Sequence, residues 1–494
     1  MAGLGGTNKA ALRTPLTDGL GSAVPLVLLA LSSFVAYVYL IASYLPPSQA
    51  VTTWTAAVGL YAVLVLAFFV PRHVLAEVGA VVGIVGVVLI PNFGAPLSVK
   101  APLAGVLAAL LMVSVARFGL PDQIGKPLAF LAGFFIYALV SALSYGAMQS
   151  VQSLTLQIAT VFPIAAFLLQ LDGRRLERLL WTVCWIGVIE AVWAVANALE
   201  VLPLPWGILG KELGAEGQVH NLIEQLTVRG SGSLAHPLAC GWFLAFCVVL
   251  LGKLSGRSRV LRSIFAVLYI AGIVFTGTRS ALIIVTLTCV AILIISWRNI
   301  AIPAKIAAVF VPVALALVSA ISFESLILEP LGLYGVDNTA SYYQRADSAD
   351  AFFALLNAPV SLLVFGGNPD QLSTRPEFYY LAQNGIFAID NQWVSALAKT
   401  GVIGLVLLLM FISGVFRRSR SRFPCALFLV GSTLAFSPLD WNIGVVMWVI
   451  LALPQVPQRE PGKNTAASPS VVSDSEASNV VAGGIGKESA AGVI

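Results

Sequence analysis

The side chains best suited to chemistry in this sequence are arginines. Arg279 is the only charge in an apolar run from Ser263 to Trp297. Arg229 opens the stretch Arg-Gly-Ser-Gly-Ser-Leu-Ala-His-Pro, which leads directly into another apolar run. Arg345 follows Ser-Tyr-Tyr-Gln in a long mixed segment. A guanidinium keeps its charge and presents a rigid fork of donors, which suits phosphate oxygens. Several of them converging at a membrane surface would suit a lipid-linked diphosphate. The alternative is that each arginine pairs with an acid of its own loop, but Arg279 has no carboxylate close by in sequence.

The other candidates each carry a structural reading beside the chemical one. Gly230 to Ser233 can turn backbone N–H groups toward an anion at the start of the next helix. The stretch lacks the strand, the spacing and the lysine of a nucleotide-binding loop, and reads equally as a flexible turn. Pro237 fits a first helical position, so His236 is either a cap or a substrate contact. Asp390-Asn391 stands just before the apolar run that begins at Trp393. Both residue types are favoured helix N-caps, and a carboxylate there can also accept a proton from a hydroxyl. Glu190, inside an apolar run, marks an ion path or is a buried acid bonded near Trp185, Trp193 or Asn197. The five cysteines lie in apolar segments without C-x-x-C spacing and read as packing residues. Three scattered histidines give no metal site.

These residues hang on a membrane scaffold. The chain is 58% hydrophobic and 10% charged, where soluble proteins average about 25% charged. The pattern predicts an all-α polytopic transmembrane bundle of 12–14 spans. They fall near 20–44, 54–70, 74–90, 102–116, 127–146, 153–170, 179–199, 237–252, 263–277, 280–297, 304–321, 393–415, 424–437 and 441–454. The first exceeds a signal-peptide core and reads as a retained span. The Ser263–Trp297 run is too long for one span and has Arg262 and Arg298 at its ends, so it must turn back at Thr276 to Ser280. With both termini cytoplasmic, all but seven of the 28 basic residues fall on the cytoplasmic side. The seven are Lys100, Lys211, Arg229, Arg279, Arg345, Arg375 and Lys399. The net charge of +5 is then the excess of cytoplasmic loops and does not point to nucleic acid. One domain, 1–457, carries outer loops at 200–236 and 322–392, the second partly helical up to Pro359; 458–494 reads as a disordered cytoplasmic tail.

Three stretches in this order resemble the O-antigen ligase/polymerase superfamily of integral membrane glycosyltransferases. Arg229 to His236-Pro237 is similar to that family's arginine, glycine and His/Asn-Pro approach to a span. Phe275-Thr-Gly-Thr-Arg279-Ser280 resembles its Thr/Ser-rich arginine turn. Asp390-Asn391-Gln-Trp393 through Lys399-Thr400-Gly401-Val-Ile-Gly404 is similar to its close of the long loop. Arg345, Ala358-Pro359 and Gly366-Gly367 fit the loop pattern between them. The resemblance implies transfer of glycan from an undecaprenyl (polyprenyl) diphosphate carrier at the outer face of a bacterial inner membrane, without cofactor or metal. Carried over by position, Arg279, Arg345 and Asp390 would be catalytic, and Arg229, His236, Asn391 and Ser280 would bind substrate. Aspartate where the ligases have histidine favours a polymerase of O-antigen, capsule or exopolysaccharide repeat units. Membrane lipid and chain-length or export proteins are the implied partners. Ligase-type transfer to another acceptor and a lipid-linked oligosaccharide flippase or transporter are the alternatives, the latter disfavoured by the long outer loop.

Overall fold

The structure is a computed structural model. It describes residues 65–453 except 66, 93, 120–124, 207–227, 255–257, 297–347, 349, 379–388, 390 and 418–422. The expected spans near 20–44 and 304–321, nearly all of 54–70, the 458–494 tail, Arg345 and Asp390 lie outside the described residues.

The described chain is a multi-pass bundle of apolar helices. They are α1 (Arg72–Leu89), α2 (Leu97–Phe118), α3 (Lys126–Ser144), α4 (Met148–Gln170), α5 (Gly173–Ala198), α6 (Pro237–Lys253), α7 (Arg259–Thr276) and α8 (Arg279–Ser296). A six-residue helix α9 (Val360–Phe365) follows, then α10 (Gln392–Arg417), α11 (Phe423–Ala435) and α12 (Asn442–Ala452). No strand occurs among the described residues. Seven of these helices are long and apolar enough to cross a membrane, and α6, α8 and α12 are shorter apolar helices. Residues 350–356 are also helical and stop before Pro359, as the loop pattern predicts.

Successive helices run up and down. The end of the bundle bearing 229–237 is called the upper end below. Among the described residues Arg72, Arg117, Lys126, Arg174, Arg175, Arg178, Lys253, Arg259, Arg262 and Arg417 lie toward the lower end. Lys100, Arg229, Arg279, Arg375 and Lys399 lie toward the upper end. Charges at the lower end tie down local structure. Arg117 donates to the carbonyls of Ala67 and Val70 and stacks on Phe68 and Phe118. Asp172 caps α5 by accepting from Arg175 N, and that bond holds its carboxyl below the usual carboxylate range.

The core runs the length of the bundle around α6, whose Trp242, Phe243 and Phe246 are buried. Because α6 is apolar on every side, it must be a central helix. Burial also explains the cysteines: Cys184, Cys240, Cys247 and Cys425 are buried free thiols.

One expected span differs from expectation. The run 393–415 reads as a single helix, but Gly401, at φ 62° and ψ −165°, breaks α10 into 392–400 and 402–417. The reason is a close backbone approach. A Cβ on Gly401 would stand 2.3 Å from Val364 O and 2.5 Å from Gly366 N. The long loop therefore packs against the break: Gly367 N donates to Ala398 O, and Tyr145 Oη donates to Gly366 O. Asp370 completes the docking by capping α4, accepting from Gln149 N, Ser150 N and Ser150 Oγ.

Candidate functional site at the upper end

The hairpin expected at Thr276 to Ser280 is present. Thr276 ends α7, Gly277 takes the left-handed conformation at φ 65°, and Arg279 opens α8. A Schellman-like stop of this kind favours glycine because a Cβ is penalised at positive φ. Here space demands it too, since a Cβ on Gly277 would meet Arg229 Nε at 3.0 Å. Arg229 lies over the turn, with Nε donating to Thr276 O at 2.8 Å. Gly230 N donates to Phe275 O at 3.0 Å. The first two of the sequence-predicted stretches are thus a single unit. Arg229 packs on Gly277, which stands two residues before Arg279, and both arginines are half-buried.

Threonines brace the turn, and one of them ties it to α6. Thr276 Oγ1 donates to Ile273 O, and Thr278 Oγ1 donates to Pro237 O. Beside Arg279, Ser280 Oγ is buried with no hydrogen-bond partner among the described residues.

The 229–236 loop is anchored from below by Glu190. Ser233 N donates to Glu190 Oε2 at 2.8 Å, and Ser233 Oγ lies 2.6 Å from Glu190 Oε1 and 2.9 Å from Val88 O. This corrects the sequence reading, which sought partners at Trp185, Trp193 or Asn197. The partner lies in the loop 43 residues away. Glu190 thus supports the loop, and no ion path is needed to explain it.

His236 is the N-cap of α6. Its Nδ1 accepts from Leu238 N at 3.1 Å, so any ring proton sits on Nε2. Ala235, just before it, is held at φ 62°, a conformation that non-glycine residues rarely adopt. Burial, followed by the Arg229 charge, lowers the His236 pKa to about 4, so the ring is neutral near pH 7. Its ring packs 5.5 Å from that of Trp441.

Trp441 belongs to the connection between α11 and α12, which the sequence reading did not single out. Leu439 N donates to Gln392 Oε1, and Gln157 Nε2 donates to Leu439 O. Gln157 lies nine residues into α4, about 13 Å along its axis at 1.5 Å per residue. The 437–441 turn is therefore packed between α4, α10 and the α1–α2 connection. Asp440 sits there with its carboxylate 2.7 Å from Lys399 Nζ and 3.2 Å from Ser395 Oγ. Asn92 Nδ2 donates to its carbonyl. The side chains of Asp440 and Lys399 are 29% and 33% exposed, so this pair is only partly covered by protein.

The remaining candidates fall as follows. Asn391 is the cap of α10, its Oδ1 accepting from Trp393 N and Val394 N. The Asp390-Asn391 ambiguity is resolved to Asn391 for the capping role. Arg229, Arg279, Ser280 and His236 gather around the hairpin, and Asp390 and Arg345 fall outside the described residues. No protein-family model matches this sequence, and no curated protein matches it either.

Proposed function

We propose that the chain is a polysaccharide polymerase that transfers glycan from a polyprenyl diphosphate carrier to a lipid-linked repeat unit at the outer face of a bacterial inner membrane. The observation that carries this reading is the seating of Arg229 on the Gly277 turn beside Arg279. Two guanidiniums at one end of an apolar bundle form a site for a diphosphate whose polyprenyl tail stays among the helices. Ser280 Oγ adds a buried hydroxyl without a partner among the described residues. The concentration of basic residues at the lower end supports placing that end in the cytoplasm and the arginine turn outside.

In the proposed reaction an acceptor hydroxyl oxygen attacks the anomeric carbon. The bond from that carbon to the diphosphate oxygen breaks, and polyprenyl diphosphate leaves with the electron pair. The hydroxyl proton passes to a base, which the family resemblance assigns to Asp390. Arg345 joins Arg229 and Arg279 on the diphosphate by the same resemblance. Neutral His236, with its Nε2–H, is a donor to a substrate oxygen.

The test is purified full chain with a lipid-linked repeat unit. A ladder of longer products is expected, and it disappears with Arg279→Ala while the protein still inserts. Ligase-type transfer gives a single product on a different acceptor. Movement of substrate without covalent change would replace this reading with a flippase.

A further inference from the structure

We propose that Asp440, Lys399 and Ser395 form a sugar-hydroxyl subsite at the upper end of the bundle, beside the 437–441 turn. The proposal rests on the glycosyltransferase reading above, because it assigns the acceptor's place within that same site.

Broken helices and irregular backbone are tolerated at membrane depth only where protein or a watery cavity satisfies them. Here α10 is broken at Gly401, and the irregular 437–441 turn packs against Gln157 of α4. Almost every polar group of the turn is fixed by protein. Leu439 N and O go to Gln392 and Gln157, Ser437 Oγ donates to Ile389 O, and Asp440 O accepts from Asn92. The Asp440–Lys399 pair is left partly open, although a short hydrophobic pair would fill the same space without desolvation cost. A part-open ion pair on a rigid turn provides carboxylate acceptors and ammonium donors together. Neutral polyols with both donor and acceptor hydroxyls match that combination, and a phosphate would be repelled by the carboxylate. Diphosphate and sugar are therefore sorted to different places by charge.

Position supports the assignment. Trp441 follows Asp440 in the chain and packs on His236, which feels the charge of Arg229. The Asp440 carboxylate and the arginine turn are joined through these two rings. A hexose held at Asp440 would lie next to a diphosphate held at Arg229 and Arg279, which is the arrangement a transfer reaction needs.

The experiment uses the full chain in nanodiscs and two separate probes. The first is a panel of methyl glycosides of glucose, galactose, mannose and rhamnose, followed by saturation-transfer NMR. The second is undecaprenyl diphosphate without sugar, followed by thermal shift. At least one glycoside is expected to give saturation transfer with the natural chain and with Arg279→Ala, and to lose at least fivefold with Asp440→Asn. The double variant K399M/D440N leaves no unpaired charge; it is expected to fold and also to lose glycoside. Undecaprenyl diphosphate should shift the natural chain and D440N, and not Arg279→Ala. Diphosphate binding without any glycoside signal, or glycoside signal unchanged in both Asp440 variants, overturns the subsite. Asp440-dependent glycoside binding without diphosphate binding supports the subsite and overturns the donor reading instead.

Discussion

Replacing Glu190 by glutamine separates the charge of this residue from its shape. Ser233 Oγ has one hydrogen but two close oxygens, Glu190 Oε1 and Val88 O. Both contacts are satisfied if Ser233 donates to Val88 and the carboxyl group brings its own proton to Ser233. Glutamine reproduces that arrangement: its Nε2–H replaces the acid proton, and its Oε1 accepts from Ser233 N. E190Q is therefore expected to unfold within about 1 kcal/mol of the natural chain. E190A leaves the buried Ser233 N–H without an acceptor, at about 1–3 kcal/mol. It also opens a void, for a total of roughly 2–5 kcal/mol. At this chain length 1 kcal/mol corresponds to about 1–2 °C in Tm. Intrinsic tryptophan fluorescence on heating in one detergent would read both variants. If Glu190 were an ionised acceptor, its charge-assisted bonds would be worth about 1.5–3 kcal/mol. A fall in E190Q as large as that in E190A would refute the proton count.

Three further outcomes are expected. G401A places a Cβ against the 364–366 backbone in a region of φ/ψ that only glycine occupies, so a loss of about 3 kcal/mol or more is expected as reduced Tm and folded yield. D370A removes three contacts from the start of α4, and hydrogen exchange at Gln149 and Ser150 should rise by roughly tenfold, for about 1–2 kcal/mol. The pKa of His236 is lowered by folding, to about 4. Its neutral form therefore contributes stability that is whole above the unfolded value near 6.5 and is lost as pH falls through 4. H236N, whose Oδ1 can still cap α6, should show a shallower loss of Tm between pH 6.5 and pH 4 than the natural chain.

Apolar runs bounded by basic residues were enough to place the eleven α-helices of more than ten residues among the described residues, because membrane helices must satisfy their own backbone. The turn at Gly277 was also legible, from one arginine and one glycine in a run too long for one span. The pairing of Arg229 with that turn was suggested only by their shared outer placement and by resemblance, since the two are 47 residues apart. Glu190 with Ser233, and Lys399 with Asp440, had no local signal at all. Each is a side-chain contact across more than forty residues, and periodicity carries no information about such pairs. Asp440 carries no sequence signal because Pro-Leu-Asp-Trp reads as an ordinary connection; its place beside Lys399 appears only in the fold. Gly401 reads as a glycine tolerated in a helix, because sequence does not show the sign of φ.

The shortness of the α7–α8 connection bears on how the chain enters the membrane. Only Gly277 and Thr278 separate the two helices, so neither can be inserted and released alone. In the proposed orientation the pair enters as one hairpin with Arg279 at its leading tip. That cation is carried outward against a resting potential that charges about 2.3 kcal/mol per 100 mV. A dozen Leu, Ile, Val and Phe residues at mid-membrane contribute roughly 4–7 kcal/mol in the opposite direction. In that orientation the apolar faces that flank Arg279 would do more than hold it in place: they would drive its delivery across the bilayer during synthesis.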